Sequence, residues 1–254
     1  MVEEIIKRKQ EAIKKLRERR SIKEAILESK KTGKRAVIAE IKRKGLKEGE
    51  EGTGIGIEIE ATEAAKKMEK GGACAISVLT DRAFLGSLED LKNVKLAIDL
   101  PVLRKDFIFD DFQVYESYAY GANALLLIAR FLSVEKLREL AKKASSLGME
   151  ALIEIDHESK EKILNQDVLG IASLIGINNR DLNTFEVNLA TFEAIAPEIK
   201  PELPGDSLLI AMSGIDGKED ATRMFEAGAD ALLVGTSIMN AEDVKEKVRD
   251  LVNI

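Results

Sequence analysis

Three segments of this chain repeat one pattern: GGACAISVL (71–79), GANALLLIA (121–129) and GADALLVGT (228–236). In each segment, a glycine that can end a helix is followed by a small residue and then by an apolar run. Such a unit is typical of the passage from a helix into a buried strand. The repetition indicates a fold in which helices and parallel strands alternate.

Five further apolar runs complete a set of eight predicted strands. The strands are expected at 36–41, 74–79, 101–107, 124–129, 150–155, 173–178, 207–214 and 231–236. Amphipathic stretches separate them, and in 133–148 Ser133 can cap a helix that Gly148 ends. Eight alternations predict an α/β protein, a (β/α)8 TIM barrel with a single domain over 1–254. The competing architecture, an open doubly wound sheet, usually has fewer strands, and no GxGxxG motif follows the first strand.

Two regions do not follow the barrel pattern. Residues 1–35 predict an N-terminal helical extension of two amphipathic helices. This extension could plug the barrel bottom, line the site or serve as an interface. Residues 45–62 are rich in Gly and Glu and predict a long loop after the first strand.

The composition excludes several classes of protein. The net charge of −6 argues against general affinity for nucleic acid or for acidic membranes. No apolar run reaches the roughly 18 residues of a membrane span, and the charged N-terminus lacks a signal-peptide core. Cys74 is the only cysteine, so we expect a buried thiol in a reducing, cytoplasmic setting. His157 is the only histidine, which excludes a metal site with several histidines.

Charged residues near the ends of predicted strands indicate a reactive site. In a (β/α)8 barrel the active site forms where the carboxyl ends of the strands meet. Lys105 and Glu154 lie within apolar strands, where a charge is costly unless it is paired. At one barrel mouth they can tune each other's pKa for acid–base chemistry, although a structural ion pair or an exposed strand tip is an alternative. Lys42 adds a third charge on another strand, which favours the functional interpretation.

The segments SGIDG (213–217) and VGTSIM (234–239) follow the last two strands. Their backbone N–H groups can cradle a phosphate, as the loops after strands 7 and 8 often do. Either glycine could instead simply close a turn.

The chain resembles the indole-3-glycerol phosphate synthase family. The motifs that carry the resemblance occur in family order: IAEIKRK (38–44), AISVLTD (75–81), LPVLRKDFI (100–108), YGANALLLIA (120–129), EALIEI (150–155), IGINNRDLNTFEV (175–187) and GADALLVGTSIM (228–239). The N-terminal extension also matches, since the extra helices of the family help to cover the substrate.

The resemblance implies a carbon–carbon lyase of tryptophan biosynthesis. Its substrate, a small phosphorylated aromatic molecule, is 1-(2-carboxyphenylamino)-1-deoxyribulose 5-phosphate. Ring closure, decarboxylation and dehydration then give indole-3-glycerol phosphate. The resemblance implies no cofactor, no metal and no nucleic acid or membrane partner, and we expect a monomer or weak homo-oligomer.

The resemblance also implies roles for particular residues. Lys105 is expected to protonate the substrate ketone, Glu154 to act as acid or base in dehydration, and Lys42 to hold the substrate carboxylate or assist proton transfer. Glu40 and Asn178 would orient these lysines and the substrate. The remaining expected contacts are Arg180 at the rim, Phe84 and Phe107 beside the aromatic ring, Met212 and Ser213 on strand 7, and Gly214, Gly235 and Thr236 at the phosphate. For either phenylalanine, packing in the core is an alternative.

Three departures from the family pattern fall on the catalytic face. GLKEGEEG (45–52) replaces a Ser-Pro-Ser segment that contributes to phosphate binding, and Met212 replaces a carboxylate. The loop TDRAFLGSLEDL (80–91) is one residue shorter than the pattern. Two alternatives to the natural reaction therefore stay open. One is a rebuilt site for another small aromatic substrate that uses general-base or lysine chemistry, and the other is a non-catalytic barrel that binds phosphorylated ligands.

Overall fold

The computed structural model describes residues 1–43, 59–171 and 173–254. Eight parallel strands close into a barrel in chain order, and the last pairs with the first. They are β1 (Ala36–Ile41), β2 (Ala75–Leu79), β3 (Val102–Lys105), β4 (Ala124–Ile128), β5 (Glu150–Ile155), β6 (Leu174–Asn178), β7 (Leu208–Met212) and β8 (Ala231–Val234). The predicted (β/α)8 barrel is confirmed. Strands β3 and β7 end earlier than predicted because the residues beyond them form loops of the site. Strand β4 ends one residue early, and β8 ends early because a short helix begins at Thr236.

Helices surround the barrel and precede it. They are α1 (Val2–Arg17), α2 (Ile22–Lys31), α3 (Ala61–Gly71), α4 (Leu88–Ala97), α5 (Asp111–Ala119), α6 (Val134–Ser146), α7 (Lys160–Ile163), α8 (Gln166–Leu169), α9 (Ala190–Ile199), α10 (Lys218–Glu226), α11 (Thr236–Met239) and α12 (Val244–Val252). The predicted caps of α6 are confirmed: Ser133 Oγ accepts from the Lys136 amide at 3.2 Å, and Gly148 has a φ of 72°. Most of the predicted loop 45–62 lies outside the described residues, and its last two residues begin α3.

Alternation along each strand separates two apolar layers. Side chains such as Ile38, Leu103 and Leu152 fill the barrel interior, while their neighbours pack outward against the helices. Two residues further along the same strands, the inward positions are occupied by polar side chains. The period of two therefore aims Glu40, Lys105 and Glu154 into one mouth of the barrel.

The second helix of the N-terminal extension closes the opposite end of the barrel. Ile22 and Ile26 on α2 are fully buried against the inward apolar side chains. Glu150, the first residue of β5, accepts from Ser21 Oγ at 2.7 Å and from the Ile22 amide at 2.6 Å. Of the three expected roles, α2 therefore plugs the barrel bottom. The expectation that the extension covers the substrate is wrong for α2, because the starts of the strands lie at the other end from the catalytic mouth.

Cys74 is buried as predicted, and burial raises the pKa of its thiol to about 12. Among the described residues, no helix has the length and apolar content needed to cross a membrane.

Candidate active site

A cavity of about 290 Å³ opens at the carboxyl ends of the strands. It brings together every residue that the sequence singled out: Glu40, Lys42, Phe84, Lys105, Phe107, Glu154, Asn178, Arg180, Met212, Ser213, Gly214, Gly235 and Thr236. The sequence analysis missed further wall residues, including Leu79, Ile128 and Leu233. Their signal was available, since each lies at an inward position near the end of its strand.

Lys105 and Glu154 form an ion pair at the base of this cavity. The Lys105 Nζ lies 3.7 Å from Glu154 Oε2, and the two side chains are 20% and 3% exposed. Burial by itself lowers the pKa of Lys105, but the carboxylates of Glu154 and Glu40 outweigh it and hold this pKa above the ordinary lysine value. Lys105 is therefore an ammonium, which can donate a proton.

Glu154 has unused hydrogen-bonding capacity. Its Oε1 accepts from Asn178 Nδ2 at 2.8 Å, and Asn178 Oδ1 in turn accepts from the Arg180 amide at 3.0 Å. Among the described residues, the buried Glu154 Oε2 accepts no hydrogen bond. Because buried carboxylate oxygens are normally satisfied, this atom is available to accept a proton or a ligand donor.

Lys42 contributes a second ammonium to the cavity wall. Its Nζ lies 5.9 Å from the centre of the Phe84 ring. Burial lowers the pKa of Lys42, and the charges of Lys105 and Arg180 add to this effect while Glu40 opposes it. Glu40 accepts from Ser77 Oγ at 3.2 Å. Lys42 therefore loses its proton more readily than Lys105.

The Arg43 guanidinium holds the loop that carries Phe84 at the barrel mouth. Arg43, which follows Lys42, donates to both carboxylate oxygens of Asp90 at 2.7 and 2.9 Å and to the Leu85 carbonyl at 3.0 Å. These bonds tie the end of β1 to the short loop that carries Phe84. The shortened loop therefore still supplies an aromatic wall.

The loops after β7 and β8 supply a backbone-lined corner. Ser213 and Gly214 have φ angles of 68° and 77°, and a Cβ at Gly214 would lie 2.3 Å from Val187. Ser237 Oγ, in the short helix α11 after β8, donates to the Ile215 carbonyl at 2.9 Å and so joins this helix to the loop after β7. A non-glycine residue at positive φ is strained, and such strain is typical of ligand-binding sites.

Met212 forms part of the cavity floor. Its side chain is 1% exposed, and its Sδ would lie 2.3 Å from a Cβ at position 176. Gly176 pairs with Glu154 in the sheet, and Met212 pairs with Asn178. The thioether therefore covers bare backbone beside the carboxylate and makes this side of the floor apolar.

Arg180 lies half-buried at the rim, where its NH1 donates to the Phe185 carbonyl at 2.7 Å. Burial lowers the pKa of its guanidinium. Within the described ranges, no group of three His, Cys, Asp or Glu side chains has the arrangement of a metal site.

The sequence profile of the indole-3-glycerol phosphate synthase family matches residues 2–251. A synthase of this name from Kineococcus radiotolerans is 43% identical over 85% of this chain and 75% of its own length. One from Leptospira interrogans is 39% identical over 97% of this chain and 94% of its own.

Solved structures of other enzymes share the fold at low identity. Tryptophan synthase subunit alpha from Legionella pneumophila superposes with a TM-score of 0.63 at 14% identity, and covers 91% of this chain and 96% of its own. Thiamine phosphate pyrophosphorylase from Pyrococcus furiosus gives 0.58 at 17% identity, over 85% and 93%. The profile match and the identities agree with the motifs around the cavity, and the chain belongs to the indole-3-glycerol phosphate synthase family.

Proposed function

We propose that this chain catalyses the indole-3-glycerol phosphate synthase reaction of tryptophan biosynthesis. The substrate is 1-(2-carboxyphenylamino)-1-deoxyribulose 5-phosphate. The observation that carries the proposal is the Lys105–Glu154 pair, 3.7 Å apart in a cavity with cations and a backbone-lined corner. The family assignment supports the same reaction.

Lys105 serves as the general acid for ring closure. As the aromatic carbon that bears the carboxylate attacks the ketone carbon, the ammonium transfers a proton to the ketone oxygen. Carbon dioxide then leaves, and its bonding electrons restore the aromatic ring. A protonated group within reach of the reacting oxygen contributes roughly 10²- to 10⁴-fold to such a step.

Glu154 takes part in the dehydration that follows. Its Oε2 has no hydrogen bond among the described residues and can accept or return a proton as water leaves. Asn178 orients the carboxylate through its 2.8 Å bond. Lys42 lies beside Phe84, where an ammonium can meet the substrate carboxylate next to its ring.

Substrate binding uses the remaining cavity walls. Phe84 and Phe107 flank the aromatic ring, and Arg180 contacts the substrate at the rim. Glu40 orients Lys42 and Lys105. Ser213 with Gly214, and Gly235 with Thr236, hold the phosphate, while Met212 closes the apolar floor.

Product formation tests the proposal directly. The chain contains no tryptophan, so indole fluorescence from the product rises over a protein background without indole. We expect turnover with the parent protein and almost none with Lys105→Ala. Absence of product at high enzyme concentration refutes the proposal, and unchanged turnover in Lys105→Ala assigns the acid to another residue.

One observation favours a second candidate, a site rebuilt for another small aromatic substrate. The buried Met212 thioether lies where the family has a carboxylate, which makes the floor beside Glu154 less polar. In that case Glu154 acts as a general base in a drier pocket. Met212→Glu separates the candidates, because a large gain in synthase turnover marks an impaired synthase site and no change marks an adapted one.

A further inference from the structure

A buried arginine lies on the outer face of the strand that carries Lys105. Arg104 precedes Lys105 in β3, so the alternation of the strand points it away from the barrel interior and toward α5. Its side chain is 3% exposed and does not line the active-site cavity. Burial of a guanidinium is costly unless its donors are paired, so its partners show what it holds.

One side of the guanidinium is anchored to α5. The NH1 atom donates to the Gln113 carbonyl at 3.0 Å and to Ser117 Oγ at 3.1 Å. The NH2 atom lies 3.0 Å from Glu116 Oε2. These contacts fix the guanidinium against the helix that follows β3.

The other side holds the residue that follows Lys105. Asp106 Oδ2 accepts from Arg104 NH2 at 2.9 Å and from Thr80 Oγ1 at 2.6 Å. Asp106 Oδ1 accepts from the Phe107 amide at 2.8 Å. The Thr80 amide donates to the Lys105 carbonyl at 3.0 Å. The Asp106 carboxylate therefore joins the Arg104 side chain, the Phe107 amide and the Thr80 hydroxyl at the end of β2.

The same helix also supports the turn beyond Asp106. The Gln113 side chain accepts from the Phe109 amide at 2.9 Å and donates to the Phe107 carbonyl at 2.9 Å. The turn that carries Phe107 is thus joined to Asp106 through its own amide and to α5 through Gln113. A shift of Asp106 is expected to move both Lys105 and Phe107.

We propose that Arg104 is a positioning residue, which acts through Asp106 to hold Lys105 and Phe107 at the cavity wall. The inference rests on the proposed synthase function, in which Lys105 is the acid. A misplacement of about 1 Å can reduce a rate roughly 100-fold. Strands β7 and β8 lie across the barrel from β3, so their phosphate-binding loops keep their geometry. Loss of Arg104 therefore lowers kcat more than it raises KM.

The test compares kcat and KM of variants of the full chain. Rates are expressed per folded molecule and measured well below the melting temperature of each variant. Arg104→Met should lower kcat by roughly 10- to 100-fold with a smaller change in KM. Arg104→Lys retains a charge that can reach Asp106 but lacks the planar fork, so it should recover part of the rate. Ser117→Ala is the matched control: it removes one acceptor from the same network and leaves the Asp106 contact, so kcat should stay within about twofold.

A double-mutant cycle tests whether Arg104 acts through Asp106. Asp106→Asn should lower kcat by itself and add little to Arg104→Met, because both changes break one connection. Unchanged kcat in Arg104→Met overturns the inference, as does an equal fall in Ser117→Ala or additive losses in the double variant. If Arg104→Met does not fold, the fall in kcat of Arg104→Lys is compared with that of Ser117→Ala instead, and equal falls overturn the inference. A parent protein without turnover overturns the proposed function instead, together with the inference that rests on it.

Discussion

Replacement of Lys105 by methionine should affect both stability and turnover. Methionine has a similar length but no charge. Among the described residues, the change therefore leaves the buried Glu154 carboxylate with its Asn178 bond alone. Turnover should fall by roughly 10²- to 10⁴-fold with the loss of the general acid. The free energy of unfolding should fall as well, because a buried charge loses its partner.

The magnitude follows from the geometry of the pair. Two unit charges about 4 Å apart attract by about 4 kcal/mol at an effective dielectric constant of 20. Breaking a buried pair by removal of one partner costs about 3–5 kcal/mol. Lys105 is 20% exposed, so solvent screens part of this interaction. We therefore expect a loss near the lower end, about 3 kcal/mol.

Urea unfolding followed by circular dichroism measures this loss, and an unchanged slope shows that the two-state comparison holds. Glu154→Gln is the matched control, since its amide oxygen can still accept from Asn178. That variant should lose only about 1 kcal/mol, because Lys105 keeps other carboxylates and some solvent. The double variant Lys105→Met/Glu154→Gln lacks both charges of the pair and should be more stable than Lys105→Met alone.

Two results would contradict the reasoning. If Lys105→Met is as stable as the parent, Glu154 is better solvated than its 3% exposure indicates. If the double variant loses the sum of the single losses, the two side chains do not interact.

Three further predictions concern other groups. Burial lowers the pKa of Lys42, so KM should begin to rise at a lower alkaline pH than for an ordinary lysine. Lys42→Arg should flatten this rise in kinetic pH profiles, because arginine keeps its charge. An identical rise in that variant would show that Lys42 does not cause it. Gly176→Ala should lower the free energy of unfolding in urea by about 1–3 kcal/mol, because its Cβ would lie 2.3 Å from Met212 Sδ. Met212→Ala should relieve part of that loss, and equal losses in the parent protein and in the Met212→Ala variant contradict this. Lys95 is a fully buried residue of α4, and burial lowers its pKa to about 8 from 10.5. Below pH 8 the buried charge destabilises the fold fully, and between pH 8 and 10.5 the unfolded chain binds more protons than the folded one. The free energy of unfolding should therefore rise over that window by about 2–3 kcal/mol relative to Lys95→Met, and parallel pH curves would refute this.

Much of the barrel was predictable because its signals are local. A parallel strand buried on both faces needs an apolar run, and a helix needs caps, so β1 and β5 were predicted with their observed bounds. The strand-end rule then located the cavity residues from chain position alone. Exact ends of β3 and β7 were less predictable, because hydrogen bonding with neighbouring strands decides where a strand stops.

The network behind Lys105 was not predictable in the same way. Arg104 lies in the same quoted motif as Lys105, but its partners include Thr80 from another strand end and Ser117 from the next helix. The role of the extension also depended on distant contacts, since Glu150 caps a helix that begins at Ile22. The single domain over 1–254, the cytoplasmic location, the oligomeric state and the role of each site residue stay predictions.

The three repeats of glycine, small residue and apolar run thus predicted the barrel, and the family motifs predicted which residues line the cavity. Both are encoded locally, because strand periodicity and capping depend on neighbouring residues. Only the tertiary structure decided that Lys105 meets Glu154 at 3.7 Å, that Met212 covers Gly176, and that Arg104 binds Asp106 behind Lys105. These contacts depend on how the barrel closes and on which side chains it then buries together, and sequence periodicity specifies direction but not distance.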